Sequence, residues 1–414
     1  MNDRELERHI HVLRDRLGND LATRIDLATA LDQLGVRLAK TGDVRSALEA
    51  STEAVDLYRN LVEAGSHSHL PDLAVSLNNL GNSLARVGDV RAALEATREA
   101  TDIYRSMAEA EPAAHLPDLA LSLNNLGVRL AGVGDVRAAL EATREATDIY
   151  RSLAEVEPAA HLPSLASALS NLGNSLAGVG DVRAALEATR EATDIYRSLA
   201  EVEPAAHLPG LASTLSNLGV RLAEVGERRA ALEVTREATG IYRSLAEAEP
   251  AAHLPDLALS LNNLGVRLAE GGEKRAALEP ARETVEIRRR LAEGEPAAYL
   301  PGLASALNNL SISLAEVGEV SAALELVREA VEIRRRLAEG GPAAHLSNLA
   351  MSLWASAWIR NAHGIDLAQA ATAADEAIAI YRTLVEQIPE AFTGFLTAAE
   401  QTRREIFDQL DSAS

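Results

Sequence analysis

The chain has 414 residues, with 40 Lys plus Arg against 61 Asp plus Glu, a formal net charge of −21. Such a field repels phosphate backbones and argues against nucleic acid as a general partner. Cysteine is absent, which excludes disulfides, thiolate nucleophiles and Cys-ligated metals. Apolar residues make up 47% and aromatics only 3%. A core of Ala and Leu points to closely packed helices rather than to sandwiches rich in β-branched and aromatic residues. No uncharged run approaches the roughly 18 residues of a membrane span, and the start carries no apolar signal stretch. A cytoplasmic protein is expected.

In chain order, residues 4–18 read as an amphipathic helix through Leu6, Ile10, Leu13 and Leu17, the core of an N-terminal cap over 1–22. Residues 23–388 then repeat. The string RAALEATREATDIYRS stands unchanged at 91–106, 137–152 and 183–198, a step of 46 residues. A Leu-Gly pair keeps the same step from Leu34-Gly35 to Leu264-Gly265, then decays to Leu310-Ser311 and Ser356-Ala357. Eight repeats result, and only the last slips by one residue, after Gly364. An unbroken period predicts geometrically equivalent repeats stacked into a solenoid.

Repeat two, 70–115, shows the plan. Pro71 suits the first turn of a helix. Leu73, Leu77, Leu80, Gly81 and Leu84 recur at helical spacing, and Gly88 and Asp89 supply a stop and a new N-cap. The second helix carries Val90, Ala93, Thr97, Ala100, Ile103, Tyr104 and Met107 on one face, with Arg98/Asp102 and Arg105/Glu109 spaced for i,i+4 pairs on the other. Glu111-Pro112 ends it in a short return loop. Residues 389–414 follow as a C-terminal capping helix and tail with Phe392, Phe395, Leu396, Ile406 and Phe407.

The pattern of Leu77, Leu80, Gly81, Leu84, Gly88, Ala93 and Ala100 resembles the tetratricopeptide repeat, and the longer repeat with its N-N-L-G phrasing resembles the extended arrays of kinesin light chains and related bacterial proteins. It departs from the family where Leu77, Leu84 and Thr97 replace aromatic positions. The resemblance implies an all-α, right-handed superhelical solenoid of antiparallel helix pairs whose first helices line a concave groove. The Ala/Arg/Glu/Leu/Gly bias fits tandem duplication in a high-GC bacterium.

Rotating the first helix of repeat two by 100° per residue puts Val75, Asn79, Asn82 and Arg86 opposite its leucines. On the implied groove this gives an asparagine ladder: Asn79, Asn125, Asn171, Asn217, Asn263 and Asn309, flanked by Asn82 and Asn174. Their amides either pair with the backbone of an extended ligand or bond the neighbouring repeat. One column changes sign along the chain, from Lys40 and Arg86 to Glu224, Glu270 and Glu316, with Arg221 and Arg267 near enough to neutralise the acids. Both Trp residues, Trp354 and Trp358, fall in repeat eight, where they either anchor a partner or pack on the cap.

Two further series read as structural. The basic clusters Arg288–Arg290 and Arg334–Arg336, where Arg288 and Arg334 replace a recurring Tyr, are expected on a solvated, salt-bridged outer face. His69, His115, His161, His207, His253 and His345 are expected to cap or pack the return loops, because rungs about 8–10 Å apart cannot share one ion. There is no P-loop, H-E-x-x-H or G-x-S-x-G motif, and almost no acid is unique before residue 354. No catalytic residue, metal or cofactor is expected. The expected function is a non-catalytic scaffold that binds a protein or peptide segment in the groove. A partner-sensing regulatory component and a solenoid self-associating through its aromatic C-terminus are the alternatives.

Overall fold

The computed structural model describes residues 3–16, 20–340 and 342–412. Leu17 and the last two residues lie outside them. The described residues form eighteen α-helices and one 3-10 turn, with no strand. The chain divides into two compact bodies, Met1–Arg221 and Leu222–Ser414.

The N-terminal body holds α1 (Asp3–Asp15), α2 (Leu21–Thr41), α3 (Val44–Glu63), α4 (Leu70–Arg86), α5 (Val90–Ala110), α6 (Pro112–Gly132), α7 (Val136–Val156), α8 (Pro158–Gly178) and α9 (Val182–Val202). The division falls inside α10 (Pro204–Glu224). The C-terminal body holds α11 (Arg228–Ala248), α12 (Pro250–Glu270), α13 (Leu278–Gly294), α14 (Pro296–Glu316), α15 (Val320–Gly340), α16 (Pro342–His363), α17 (Leu367–Gln387) and α18 (Pro389–Ser412). From α2 to α17, even-numbered helices open a repeat and odd-numbered ones close it. Within each body, helices consecutive in sequence pack on one another, and first helices also touch, α2 with α4, α6 with α8 and α14 with α16.

The tight inner turn follows from two residues. Gly42, Gly88, Gly134 and Gly180 adopt φ between 84° and 88°, a region costly for any residue with a Cβ. The next residue is Asp: the Asp89 carboxylate accepts from the Ala92 N–H at 3.1 Å, and Asp43, Asp135 and Asp181 do the same for Ser46, Ala138 and Ala184. The Leu-Gly pair is explained by close approach. A Cβ on Gly81 would sit 2.5 Å from Thr97 Oγ1 and 3.3 Å from the Ala93 carbonyl oxygen, and Gly173 meets Thr189 and Ala185 in the same way. Leu77, Leu123, Leu169, Leu215, Leu261 and Leu307 are fully buried beside it.

The structure departs from the expected plan in two places. From repeat three on, the return loop shrinks to one residue, such as Glu111, because the next helix starts at Pro112 itself rather than near Pro117. A proline in the first turn loses no helical bond, and Pro117 removes only one near the start. Repeat two keeps a longer connection, with a 3-10 turn at His67–His69 before Pro71. The second departure is repeat six, which is not equivalent to the others. Its second helix, α13, has 17 residues instead of 21 and begins at Leu278. Pro280 cannot donate to residue 276 and its ring clashes with that carbonyl, so the preceding turn is not α-helical.

At the ends, α1 buries Leu6, Ile10 and Leu13 against Leu27, Leu31 and Leu34. Helix α18 packs on α16 and α17, with Ile406 buried among Ala357, Ala370 and Ala374.

Candidate partner-binding face

In the N-terminal body the free face of the first helices is amphiphilic. Val75 is 46% exposed and Leu121 50%, and Lys40, Asn82, Arg86 and Asn174 are exposed on the same face. Asn79, Asn125, Asn171 and Asn217 lie half-buried beneath them. Their placement follows a rule that spacing did not reveal. The Asn171 amide donates to Asn124 Oδ1 at 3.0 Å, Asn217 donates to Ser170 Oγ at 3.2 Å, and Asn79 reaches Asp32 at 3.5 Å. Each acceptor belongs to the preceding first helix, so these amides join successive repeats.

A cleft of about 270 Å³ opens between α2 and α4, lined by Gly35, Val36, Lys40, Asn79, Asn82 and Arg86. Arg86 donates to the carbonyl of Ala39, one of the open carbonyls at the end of α2. Arg129 donates to Asn82 Oδ1 at 2.7 Å. Beneath the face runs a buried polar chain, Thr101 to Ser122 at 2.8 Å and Ser122 to Asn78 at 3.3 Å. Burial holds the Asp32 carboxyl above its ordinary range, against the hydrogen bonds from Ser76 and Asn79 that favour its ionised form.

In the C-terminal body the same face carries Leu259, 51% exposed, and the half-buried Asn263 and Asn309. Asn309 donates to Asn262 Oδ1 at 2.9 Å, repeating the ladder. Glu224, Glu270 and Glu316 are exposed, and none is without a partner. Glu270 pairs with Arg267 at 2.8 Å and Glu316 with Lys274 at 3.5 Å. Trp354 is turned to the terminal helix: its Nε1 donates to Thr402 Oγ1 at 2.9 Å, and its ring packs near Phe392 and Leu396. Trp358 is half-buried against the cluster of α14 and α15.

On the second helices, Arg105 hydrogen-bonds across to Glu145 at 2.7 Å. The same 40-residue reach recurs as Arg59–Glu99, Arg151–Glu191, Arg243–Glu283 and Arg289–Glu329. These pairs, invisible to i,i+4 bookkeeping, staple successive second helices. They also correct the reading of the basic clusters. Arg289 and Arg335 do lie outside, paired to Glu329 and Glu376, but Arg334 is buried, with 3% of its surface exposed, and Arg288 is half-buried. Both point inward because they occupy the slot that Tyr58, Tyr104 and Tyr150 fill elsewhere. Burial lowers both guanidinium pKa values, Arg334 to about 10.

His69 lies in the connection before α4, as that helix's N-cap, whereas His115, His161, His207 and His253 sit in the opening turns of their first helices. His69 Nδ1 lies 3.0 Å from Asp72, and its ring is 6.3 Å from that of Tyr58. No group of three potential metal ligands occurs among the described residues. No helix among them is long and apolar enough to cross a membrane.

Glycine-turned helix pairs, stacked at a fixed step and stapled by Asn and Arg–Glu ladders, define a helical-repeat solenoid. A family model for the tetratricopeptide repeat matches residues 27–69, 73–111, 257–295 and 303–339. The chain carries tetratricopeptide repeats over those stretches. The fold is similar to that of apo RapI, with 15% identity over 94% of this chain and 98% of that one and a TM-score of 0.57. It is also similar to a signal-transduction ATPase with a tetratricopeptide repeat sensor from Pyrococcus horikoshii, with 13% identity over 95% of this chain and a TM-score of 0.55. The chain spans 55% of that ATPase's length. A third likeness is the Rap conjugation gene regulator of plasmid pLS20 in complex with a Phr peptide, with 14% identity over 89% of this chain and 98% of that one and a TM-score of 0.50. No curated protein matches the chain.

Proposed function

We propose that this protein is a non-catalytic interaction scaffold whose first-helix faces bind a peptide segment of a partner protein. The observation that carries the reading is the N-terminal face, where Val75 and Leu121 are about half exposed among Asn82, Asn174, Lys40 and Arg86. Large apolar side chains held open beside polar ones are how a helical surface takes up a peptide's side chains while bonding its backbone. A solved structure of similar fold, the pLS20 Rap regulator, is described in complex with a peptide, which supports the class of ligand. Lys40 and Arg86 favour an acidic segment on this face. On the C-terminal body, Glu224, Glu270 and Glu316 favour a basic one, weakened by the local pairs of Glu270 and Glu316.

A regulatory role, in which the bound peptide controls an effector on another chain, follows the same geometry. The test is fluorescence anisotropy with labelled acidic, neutral and basic peptide pools against the wild-type chain and Lys40→Glu/Arg86→Glu. Preferential binding of the acidic pool, weakened about tenfold or more by the double charge reversal, is expected. Equal binding of all pools, unchanged by the reversal, would contradict it.

A further inference from the structure

Eight second helices present one side chain inward at the same register: Tyr58, Tyr104, Tyr150, Tyr196, Tyr242, Arg288, Arg334 and, after the one-residue slip, Tyr381. The two arginines follow each other, and both reach the same first helix, α14. The Arg288 guanidinium lies directly over Gly302, where a Cβ would overlap it. Arg334 Nη2 donates to Ser305 Oγ at 3.1 Å, while its Nη1 donates to the carbonyl of Asn348. Gly302 and Ser305 are three residues apart, so the two cations meet α14 on adjacent turns of one face.

Neither cation has an acid. Arg334 has only neutral oxygens as partners, and Arg288 has no hydrogen bond or ion pair among the described residues. This is unexpected for a guanidinium buried as Arg334 is, which is held in place by a carboxylate or loses stability. The register column opposite makes the omission sharper. It reads Asp26, Asp72, Asp118, Ser164, Gly210, Asp256, Gly302 and Asn348. Four repeats carry a carboxylate there, and the two positions that face arginine carry none. Burial depresses both arginines, with no carboxylate acting to raise them; only the Tyr381 phenol acts in that direction, on Arg334.

The pair has an outlet. Ser305, which accepts from Arg334, is exposed on the free face of α14. We propose that Arg288 and Arg334 form a binding site for an oxyanion, a carboxylate or phosphate group that enters past Ser305 and supplies the missing counter-charge. Two forked donors suit a ligand with two or more oxygens. Glu316 lies eleven residues further along α14, roughly 16 Å at a rise of about 1.5 Å per residue, so the acids of this face do not block the site. The site does not depend on the peptide reading, since a small anion suffices to fill it.

The test uses the full chain. Inorganic phosphate and succinate, in separate arms that distinguish phosphate from carboxylate ligands, are titrated by calorimetry and thermal unfolding at ionic strength matched with chloride. Three proteins are compared: wild type, Arg288→Tyr/Arg334→Tyr, which restores the residue of the other repeats and so preserves folding, and Arg290→Gln/Arg336→Gln, which removes two exposed cations instead. Saturable binding of at least one anion is expected in wild type and in the exposed-cation variant, weakened about tenfold or more by the double tyrosine substitution. Equal binding in wild type and the tyrosine variant, equal loss in the two variants, or no saturable response to either anion would overturn the proposal.

Discussion

Repeats two to four and repeat six share their register, yet they pack their helix pairs differently. In the former, Gly81, Gly127 and Gly173 let the two helices touch, with threonine and a carbonyl pressed against the space a Cβ would need. In repeat six the equivalent Gly265 has its nearest such atom, the Ala277 carbonyl oxygen, at 3.5 Å and the Ala281 Cβ at 3.9 Å. The sequence difference is small: Pro280 and Ala281 stand where repeat five has Val234 and Thr235. Pro280 delays α13, and Ala281 withdraws the hydroxyl and methyl that crowd the glycine elsewhere. A periodic sequence therefore guarantees a shared register but not a shared local geometry. One proline is enough to loosen a single pair.

The largest expected effect breaks this contrast at its tight end. Gly127→Val should destabilise by about 2–4 kcal/mol, because Thr143 and the Ala139 carbonyl cannot both yield. Gly265→Val should cost less than about 1 kcal/mol, since loss of glycine entropy partly offsets the crowding. Chemical unfolding followed by far-UV circular dichroism reads both, and equal losses would remove the distinction. Next in size, Pro280→Val should extend α13 back through residues 274–277 and stabilise by about 1 kcal/mol, seen as slower amide exchange in that turn. Unchanged exchange would show that something other than the proline sets the start of the helix.

A pH effect comes third. Asp32 occupies the register that holds Asn78, Asn124 and Asn308, and its folded pKa is raised by burial. The folded state then holds its proton where the unfolded state has lost it, so this group's contribution is full below the ordinary carboxylate pKa and is lost as pH rises through the folded value. Asp32→Asn should stabilise by a few tenths to about 1 kcal/mol at pH 7, with the gain disappearing in acid below the ordinary carboxylate range. A gain independent of pH would contradict that cause. Smallest is the outer staple: Glu145→Gln should cost no more than about 1 kcal/mol and less at high salt, as for other half-exposed pairs.

Much of the architecture was readable in advance because it rests on local rules. The 46-residue step, Gly88 with Asp89 and the leucine stripe each specify backbone geometry without help from distant residues, and the helix pairs follow. The candidate site was readable only by face. Rotation placed Val75, Asn82 and Arg86 outward, as the structure finds them, but it could not say where an amide points. Asn171 bonds Asn124 across a sequence distance of 47 residues, and Arg105 reaches Glu145 on the next second helix, 40 residues on. These are properties of the stacking, which no single helix encodes. Arg334 is the instructive miss. Its cluster looks like a solvated edge, whereas its alignment with the buried tyrosines carried the correct signal.

The central claim, that the first-helix face is the binding surface, is tested most directly by site-specific photocrosslinking. A benzoylphenylalanine at Leu121, on that face, is compared with one at Arg144, exposed on the second helix of the same repeat. Both are irradiated with the acidic peptide pool. Crosslinking at Leu121 and not at Arg144, suppressed by excess unlabelled peptide, is the predicted result. Crosslinking confined to Arg144 would move the interface to the second helices and contradict the assignment.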